Sequence, residues 1–216
     1  MIAKLKVNEI YWGLQGECVH VGRPTVFVRL TGCNLRCGYC DSTYSYEEGK
    51  LMSVPSILEY VKKHSPTKLV EITGGEPLLQ EGVYELMTAL INEDYEVDLE
   101  TNGSIYADPT KIPQEVTIIL DMKVPSSGMS KKMDFKNLPR LGVRDQVKFV
   151  VQTPKDMEWA RSILVKYPTN AMVYFSPVWS RINPKKIVQY IKKHKLNVYM
   201  SLQQHKILYG PTRRGV

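Results

Sequence analysis

Runs of β-branched and aromatic residues recur along the chain, with amphipathic stretches between them. Thr25 to Leu30, Lys68 to Ile72, Tyr95 to Glu100, Val116 to Asp121, Gln146 to Val151, Met172 to Phe175 and Asn197 to Ser201 read as strands. Between them the period becomes helical. Val54 to His64 starts behind Ser53 as an N-cap and puts Ile57, Leu58 and Val61 on one face. Val83, Leu86, Met87 and Leu90 form the i, i+3, i+4, i+7 stripe of a second helix. Lys155 to Lys166 and Pro184 to His194 fit two more, the last with Ile187, Val188 and Ile191 inward and four lysines, 185, 186, 192 and 193, outward. This alternation predicts an α/β protein with a parallel sheet, either doubly wound or a barrel, complete or not, with function at the C-terminal strand ends. Ser104 to Pro113 and Val124 to Arg140 lack a helical period, and the second stretch is a candidate lid or binding segment. No repeat, low-complexity tract or linker divides the chain, so one domain over 1–216 is expected.

A chain of 216 residues buries about 70% of its unfolded surface without help from metal or disulfides. Any metal here therefore serves chemistry. The formal charge is +7, yet residues 159–216 carry 11 basic residues and no acidic one. That excess suits nucleic acid, an anionic small molecule or simply solvated helix faces. Met1 to Lys6 has no apolar run of a signal peptide, and no stretch approaches the roughly 18 apolar residues of a membrane span. A soluble, cytoplasmic protein is expected.

Cys33, Cys37 and Cys40 fall within eight residues, directly after the strand ending at Leu30 and the turn Thr31-Gly32. Structural zinc takes four ligands, usually as two separated pairs, and only unpaired His20 or Cys18 is at hand for a fourth. Three thiolates suit an iron–sulfur cubane with one iron left open to a small molecule. At the end of the next strand, Glu71-Ile72-Thr73-Gly74-Gly75-Glu76-Pro77 places two glycines where backbone can approach a ligand, leaving amides and carbonyls free for an ammonium.

Cys-xxx-Cys-xx-Cys with Tyr39 before the last cysteine, together with Gly-Gly-Glu, resembles the radical S-adenosylmethionine superfamily. Gly13-Leu14-Gln15-Gly16-Glu17, Gly22 to Arg29, Cys40-Asp41-Ser42-Thr43, Glu100-Thr101-Asn102-Gly103, Asp121-Met122-Lys123 and Ser201 to Lys206 resemble one of its families, 7-carboxy-7-deazaguanine synthase. The resemblance runs from about residue 10 to 210. It implies an incomplete (partial) βα barrel of the TIM type with parallel strands, a short N-terminal substrate-binding segment and, in this chain, a basic C-terminal tail. It implies a 4Fe–4S cluster on Cys33, Cys37 and Cys40 whose open iron chelates S-adenosylmethionine, and Mg2+ held by Ser42. The cofactor would lie against Tyr39, Cys40, Asp41, Gly74, Gly75, Glu76, Glu100, Asn102, Lys123 and Ser126. The substrate implied is 6-carboxy-5,6,7,8-tetrahydropterin, held by Leu14, Gln15, Gly16, Glu17, Arg29, Thr73, Thr101 and His205. Hydrogen abstraction, ring contraction and loss of ammonia would give 7-carboxy-7-deazaguanine, the precursor of queuosine and other 7-deazapurines.

The residues themselves agree with that substrate. Gln15 and Glu17 suit the donor and acceptor edge of a pterin, and Arg29 suits a bidentate pair with a carboxylate. No residue stands out as a general base. The family also implies an external electron donor, flavodoxin- or ferredoxin-like, and a homodimer, with neither nucleic acid nor membrane as partner. Two features depart from its pattern: Cys18 stands where Gly is common, and the chain continues through Gly210 to Val216. Two other readings remain: a glycyl-radical-enzyme activase, and a zinc-binding nucleic-acid module.

Overall fold

The computed structural model describes residues 3–64 and 66–216. Met1 and Ile2, at the head of the N-terminal stretch considered above, lie outside them. The first strand, β1 (Lys4–Leu14), is one the alternation did not predict, and it pairs antiparallel with both β2 (Pro24–Leu30) and β3 (Lys50–Ser53). Its pattern is hidden by a register shift between Val7 and Glu9. Leu5 and Val7 point into the core, but beyond the bulge the side chains are half-exposed and Trp12 is 49% exposed. One edge of the sheet is thus antiparallel.

The strands expected from the sequence form the rest of the sheet: β4 (Leu69–Gly74), β5 (Glu96–Thr101), β6 (Thr117–Asp121), β7 (Gln146–Val151), β8 (Met172–Pro177) and β9 (Tyr199–Met200). From β2 to β9 every pairing is parallel, in the order β3-β1-β2-β4-β5-β6-β7-β8-β9, and the nine strands formed by the described residues do not close. This is the partial barrel expected, with an antiparallel flap.

Helices cover the outer face. Ser53 caps α1 (Val54–Lys62) by accepting from the Ser56 amide at 3.3 Å, and Thr153 and Asp156 form a capping box at the head of α4 (Pro154–Lys166). The stripe of α2 (Gly82–Ile91) is fully buried, each side chain contributing about 1.5–3 kcal/mol. In α5 (Pro184–His194) the buried pair is Ile187 and Tyr190, while Val188 is turned to solvent. Among the described residues no helix bridges β5 and β6, and β6 to β7 is crossed by short turns and the four-residue α3 (Asn137–Arg140). The short α6 (Gln204–Tyr209), unforeseen in the sequence, carries His205.

Strand alternation positions the site. Val26, Val28, Val70, Ile72, Val97, Leu99, Ile118, Leu120, Val147 and Phe149 all pack into the core under the helices. Residues of the opposite parity, among them Arg29, Glu71, Thr73, Glu100, Asp121 and Lys148, face a cavity of about 500 Å3.

Candidate active site

β2 ends on Leu30 and the chain turns at Thr31-Gly32 into the cysteine loop. The buried Leu35 anchors that loop, and the Gly38 amide donates to Ser127 O at 3.0 Å. Cys33, Cys37 and Cys40 are free thiols, half-buried, on one wall of the cavity. Burial pushes the Cys37 thiol up to about 11. Cys33 Sγ accepts from Asn102 Nδ2 at 3.7 Å, and Cys40 Sγ lies 3.7 Å from Ser42 Oγ. Tyr39 reaches across the sheet, its hydroxyl donating to Val150 O at 3.0 Å.

The two glycines of Gly74-Gly75-Glu76 are needed for backbone-to-backbone packing. A Cβ on Gly75 would lie 2.1 Å from Gly32 O, and one on Gly74, at φ +148, 2.2 Å from Leu30 O. The amides expected to be free are used internally: Gly75 N donates to Leu30 O at 3.1 Å and Glu76 N to Gly32 O at 2.7 Å. Glu76 is fully buried and outside the cavity lining. Its carboxylate accepts from Leu78 N (3.0 Å), Thr101 Oγ1 (2.8 Å) and Asn102 N (2.7 Å), binding the ends of β4 and β5 together. Ser126 also lies outside the lining and pairs with Asp156 through its amide (3.0 Å) and hydroxyl (2.8 Å). The other residues that the resemblance places at the site share the one cavity, while His20 lies outside it and pairs with Asp98 at 2.8 Å.

The same cavity is lined by Gln15, Gly16 and Glu17, which follow β1, and α6 sits on them. Gln204 N donates to Gly16 O at 2.8 Å, and a Cβ on Gly16 would lie 2.3 Å from His205 Nδ1. Burial lowers the His205 pKa and favours its neutral form. Gln203 Nε2 donates to Glu17 Oε1 at 2.9 Å, while Lys206 Nζ donates to Gln203 Oε1 at 2.9 Å and pairs with Asp41. Arg29 is tied by Nε to Glu9 Oε1 (2.8 Å) and by Nη2 to Tyr11 Oη (3.3 Å), so part of its guanidinium already has an internal acid. Residues 211–216 run along the mouth, with Arg214 stacked 3.3 Å from the Tyr44 ring centre and paired with Glu48 at 3.2 Å.

Two buried ionisable groups in this wall were absent from the sequence reading: Lys148, and Glu71 as a site residue. Glu71 accepts from Gln15 Nε2. Burial, then Glu100 and Asp98, push its carboxyl well above the usual range and favour its protonated form. The unfolded chain gives up that proton above about pH 4.3, so folded-state stability is lost as pH rises past that value. Glu71→Gln keeps the acceptor and removes this loss. Its melting temperature is expected to exceed that of the unaltered protein at pH 8, by about 2–4 °C per kcal/mol relieved, and the gain should fade toward pH 4. Equal melting temperatures at pH 8 would show that Glu71 ionises without cost.

Three thiols and a Gly-Gly-Glu turn at the mouth of a partial barrel define a class, and the comparisons agree. The model of the Radical SAM superfamily matches residues 27–126. In fold the chain is similar to QueE from Escherichia coli, with a TM-score of 0.80 at 20% identity over 94% of this chain and 95% of that one. It is similar more distantly to SuiB from Streptococcus suis bound to S-adenosylmethionine, with a TM-score of 0.57 at 12% identity over 79% of this chain and 48% of that one. The chain is a radical S-adenosylmethionine enzyme, a class that works with a 4Fe–4S cluster and S-adenosylmethionine. It is 37% identical to the 7-carboxy-7-deazaguanine synthase of Koribacter versatilis over 98% of this chain and 100% of that one. To the synthase of Clostridium acetobutylicum it is 38% identical over 98% and 99%. The chain belongs to the 7-carboxy-7-deazaguanine synthase family. That membership sets aside both the glycyl-radical-enzyme activase and the zinc-binding nucleic-acid module.

Proposed function

We propose that the chain converts 6-carboxy-5,6,7,8-tetrahydropterin into 7-carboxy-7-deazaguanine and ammonia, with the cluster on Cys33, Cys37 and Cys40. The observation that carries this reading is that the three thiols and the set Gln15, Glu17, Arg29 and His205 face one cavity of about 500 Å3. The donor set fits a cluster: three unpaired thiols on one wall. Among the described residues, no three His, Cys, Asp or Glu side chains converge as a single metal ion requires, whereas a cubane takes each thiolate on its own iron. When bound and reduced, a cluster on Cys33, Cys37 and Cys40 together with S-adenosylmethionine would supply a 5′-deoxyadenosyl radical for hydrogen abstraction.

The chain's own residues bind and orient. With the amides of Gly75 and Glu76 used inside the fold, the carbonyls of Gly74 and Gly75 are the groups that meet the cofactor's ammonium. Glu100, Asn102, Lys123, Tyr39 and Asp41 border the nucleoside. Glu76 and Ser126 act on that side through the residues they hold, Thr101 and Asn102 for the first and the head of α4 for the second. Leu14, Gln15, Gly16, Glu17, Thr73 and Thr101 frame the pterin, and Arg29 with neutral His205 receives its carboxylate. Ser42 supplies one hydroxyl to Mg2+, which needs few protein ligands when substrate and water complete its shell. The conversion is a rearrangement with elimination and no net oxidation, so the hydrogen removed must be returned.

An external one-electron donor of the flavodoxin or ferredoxin type completes the system. Two copies of the chain form a homodimer, and Tyr199 on β9 with Ile207, Leu208 and Tyr209 on α6 are exposed apolar side chains that suit such a contact. Among the described residues, no helix is long and apolar enough to cross a membrane.

The test is anaerobic incubation of cluster-loaded protein with S-adenosylmethionine, reductant, Mg2+ and the carboxytetrahydropterin. Deazaguanine should appear. Deoxyadenosine formed while the pterin persists would refute the assignment. Arg29→Ala is expected to raise the KM for the pterin about 10–100-fold, the worth of a charged hydrogen bond, at unchanged iron content. Iron lost in step with activity would place Arg29 in the fold instead.

A further inference from the structure

Lys148 lies in none of the motifs, yet it lines the cavity and meets three of its acids. It stands on β7 and is 5% exposed. Its Nζ is 2.7 Å from Glu17 Oε2, 2.6 Å from Glu100 Oε1 and 3.9 Å from Asp121 Oδ2. Each acid has a second partner. Glu17 Oε1 accepts from Gln203 Nε2 at 2.9 Å, Glu100 Oε2 from Thr73 Oγ1 at 2.8 Å, and Asp121 Oδ2 from Lys123 Nζ at 2.7 Å. Glu17 comes from the segment after β1 and Glu100 from the end of β5, so one ammonium joins the two halves of the cavity.

Two carboxylates hydrogen-bonded to one nitrogen repel each other, and burial adds to the cost of ionising both. A compact ammonium with three donors offsets that repulsion. Burial works to raise the Glu100 carboxyl, but Lys148 first and then Thr73 outweigh it and hold it down to about 2. The same balance lowers Glu17, where burial and Glu100 oppose ionisation and Lys148 favours it. Lys148 in turn is held charged by Glu100, Glu17 and Asp121 against its own burial. Without the lysine, one of the acids takes up a proton and becomes a donor where the ligand needs an acceptor.

We propose that Lys148 is a positioning residue for both ligands at once, holding Glu17 ionised toward the pterin and Glu100 ionised toward the nucleoside of S-adenosylmethionine. The inference rests on the ligand assignments of Glu17 and Glu100 made above. It differs from a folding role in its signature, since it links two binding constants that have no other reason to move together.

The experiment uses cluster-loaded protein and four variants, with the pterin KM, the Kd for S-adenosylmethionine by equilibrium dialysis, and iron content as readouts. Glu17→Gln should raise the pterin KM and leave the cofactor Kd alone. Glu100→Gln should do the reverse. Lys148→Met should move both constants about 30-fold or more, the cost of unpairing a buried charge, at the iron content of the unaltered protein. Lys148→Arg, which keeps the charge, should recover most of each loss. If Lys148→Met moves neither constant or only one, or loses iron in proportion, the inference is overturned while the assignments stand. If Glu17→Gln and Glu100→Gln leave both constants unchanged, the assignments themselves fail and the inference falls with them. Should Lys148→Met not fold, the charge-balanced pair Lys148→Met with Glu17→Gln replaces it. A cofactor Kd for that pair equal to that of Glu17→Gln alone also overturns the role of Lys148.

Discussion

Cys37→Ala is expected to leave a folded protein without a full cluster and without turnover. Cys37 sits in the middle of the loop, half-buried, and its thiol takes part in no disulfide. The loop is anchored elsewhere, by buried Leu35, by the Gly38 amide on Ser127 O at 3.0 Å and by Arg36 Nη1 on Cys33 O at 2.8 Å. Losing one half-buried sulfur therefore costs the fold about 1 kcal/mol or less, within the range of ordinary substitutions. The loss to chemistry is complete, because a cubane held by two thiolates is no longer retained with one iron reserved for the cofactor. Iron should fall well below about four per chain, and neither deoxyadenosine nor deazaguanine should form. Cys18→Ala is the internal control. Cys18 is buried at 7% exposure behind Glu17, beside Ile119 and Tyr174, so its loss should leave iron content unchanged. Full iron in Cys37→Ala, or lost iron in Cys18→Ala, would move the cluster to a different set of thiols.

That contrast was already visible in the sequence, because the cysteine motif is local: three residues in eight, placed by the strand before them. The parallel part of the sheet was legible for a related reason. Each of β2, β4, β5, β6 and β7 alternates core and cavity residues within a few positions, and the pattern survives in isolation. β1 was not legible, since the shift between Val7 and Glu9 breaks the alternation after two inward side chains. α6 escaped notice because six residues give too little period to read.

Within the site, local motifs showed which segments meet but not which atoms do the work. Glu76 and Ser126 were grouped with cofactor contacts because their neighbours are, while their side chains cross-link strands and helix. Lys148 and Glu71 were missed because their partners lie far along the chain, 131 residues away for Glu17 and 56 for Gln15. A usable signal was nevertheless present. Lys in Gln146-Val-Lys-Phe-Val-Val and Glu in Leu69-Val-Glu-Ile-Thr are charges set among apolar strand residues, as Arg29 is in Val26-Phe-Val-Arg-Leu. A charge on the inward parity of several adjacent strands points to a polar cavity rather than a dry core.

Gly75→Ala should be among the most damaging substitutions outside the thiols, although it adds a single methyl group. The new Cβ would lie 2.1 Å from Gly32 O, 2.6 Å from Gly32 C and 2.9 Å from Cys33 Cβ. All three atoms belong to the turn that carries the first thiol, and none is the end of a flexible side chain. Relief requires the turn to move away by about 1 Å, which strains the Gly75 N to Leu30 O and Glu76 N to Gly32 O bonds that seat it. Overpacking of this kind costs about 1–3 kcal/mol in stability, and a displacement of about 1 Å at a reacting centre costs on the order of 100-fold in rate. The expected result is a protein that folds, melts earlier, holds less iron and turns over about 100-fold more slowly. Gly38→Ala supplies the comparison within the cysteine loop: nothing lies within 4 Å of its Cβ and its amide bond to Ser127 O is unaffected. Its turnover should stay close to that of the unaltered protein. If Gly75→Ala and Gly38→Ala behave alike, the close approach of β4 to the cysteine turn does not set the position of the first thiol, and the glycine pair must act through its ligand alone.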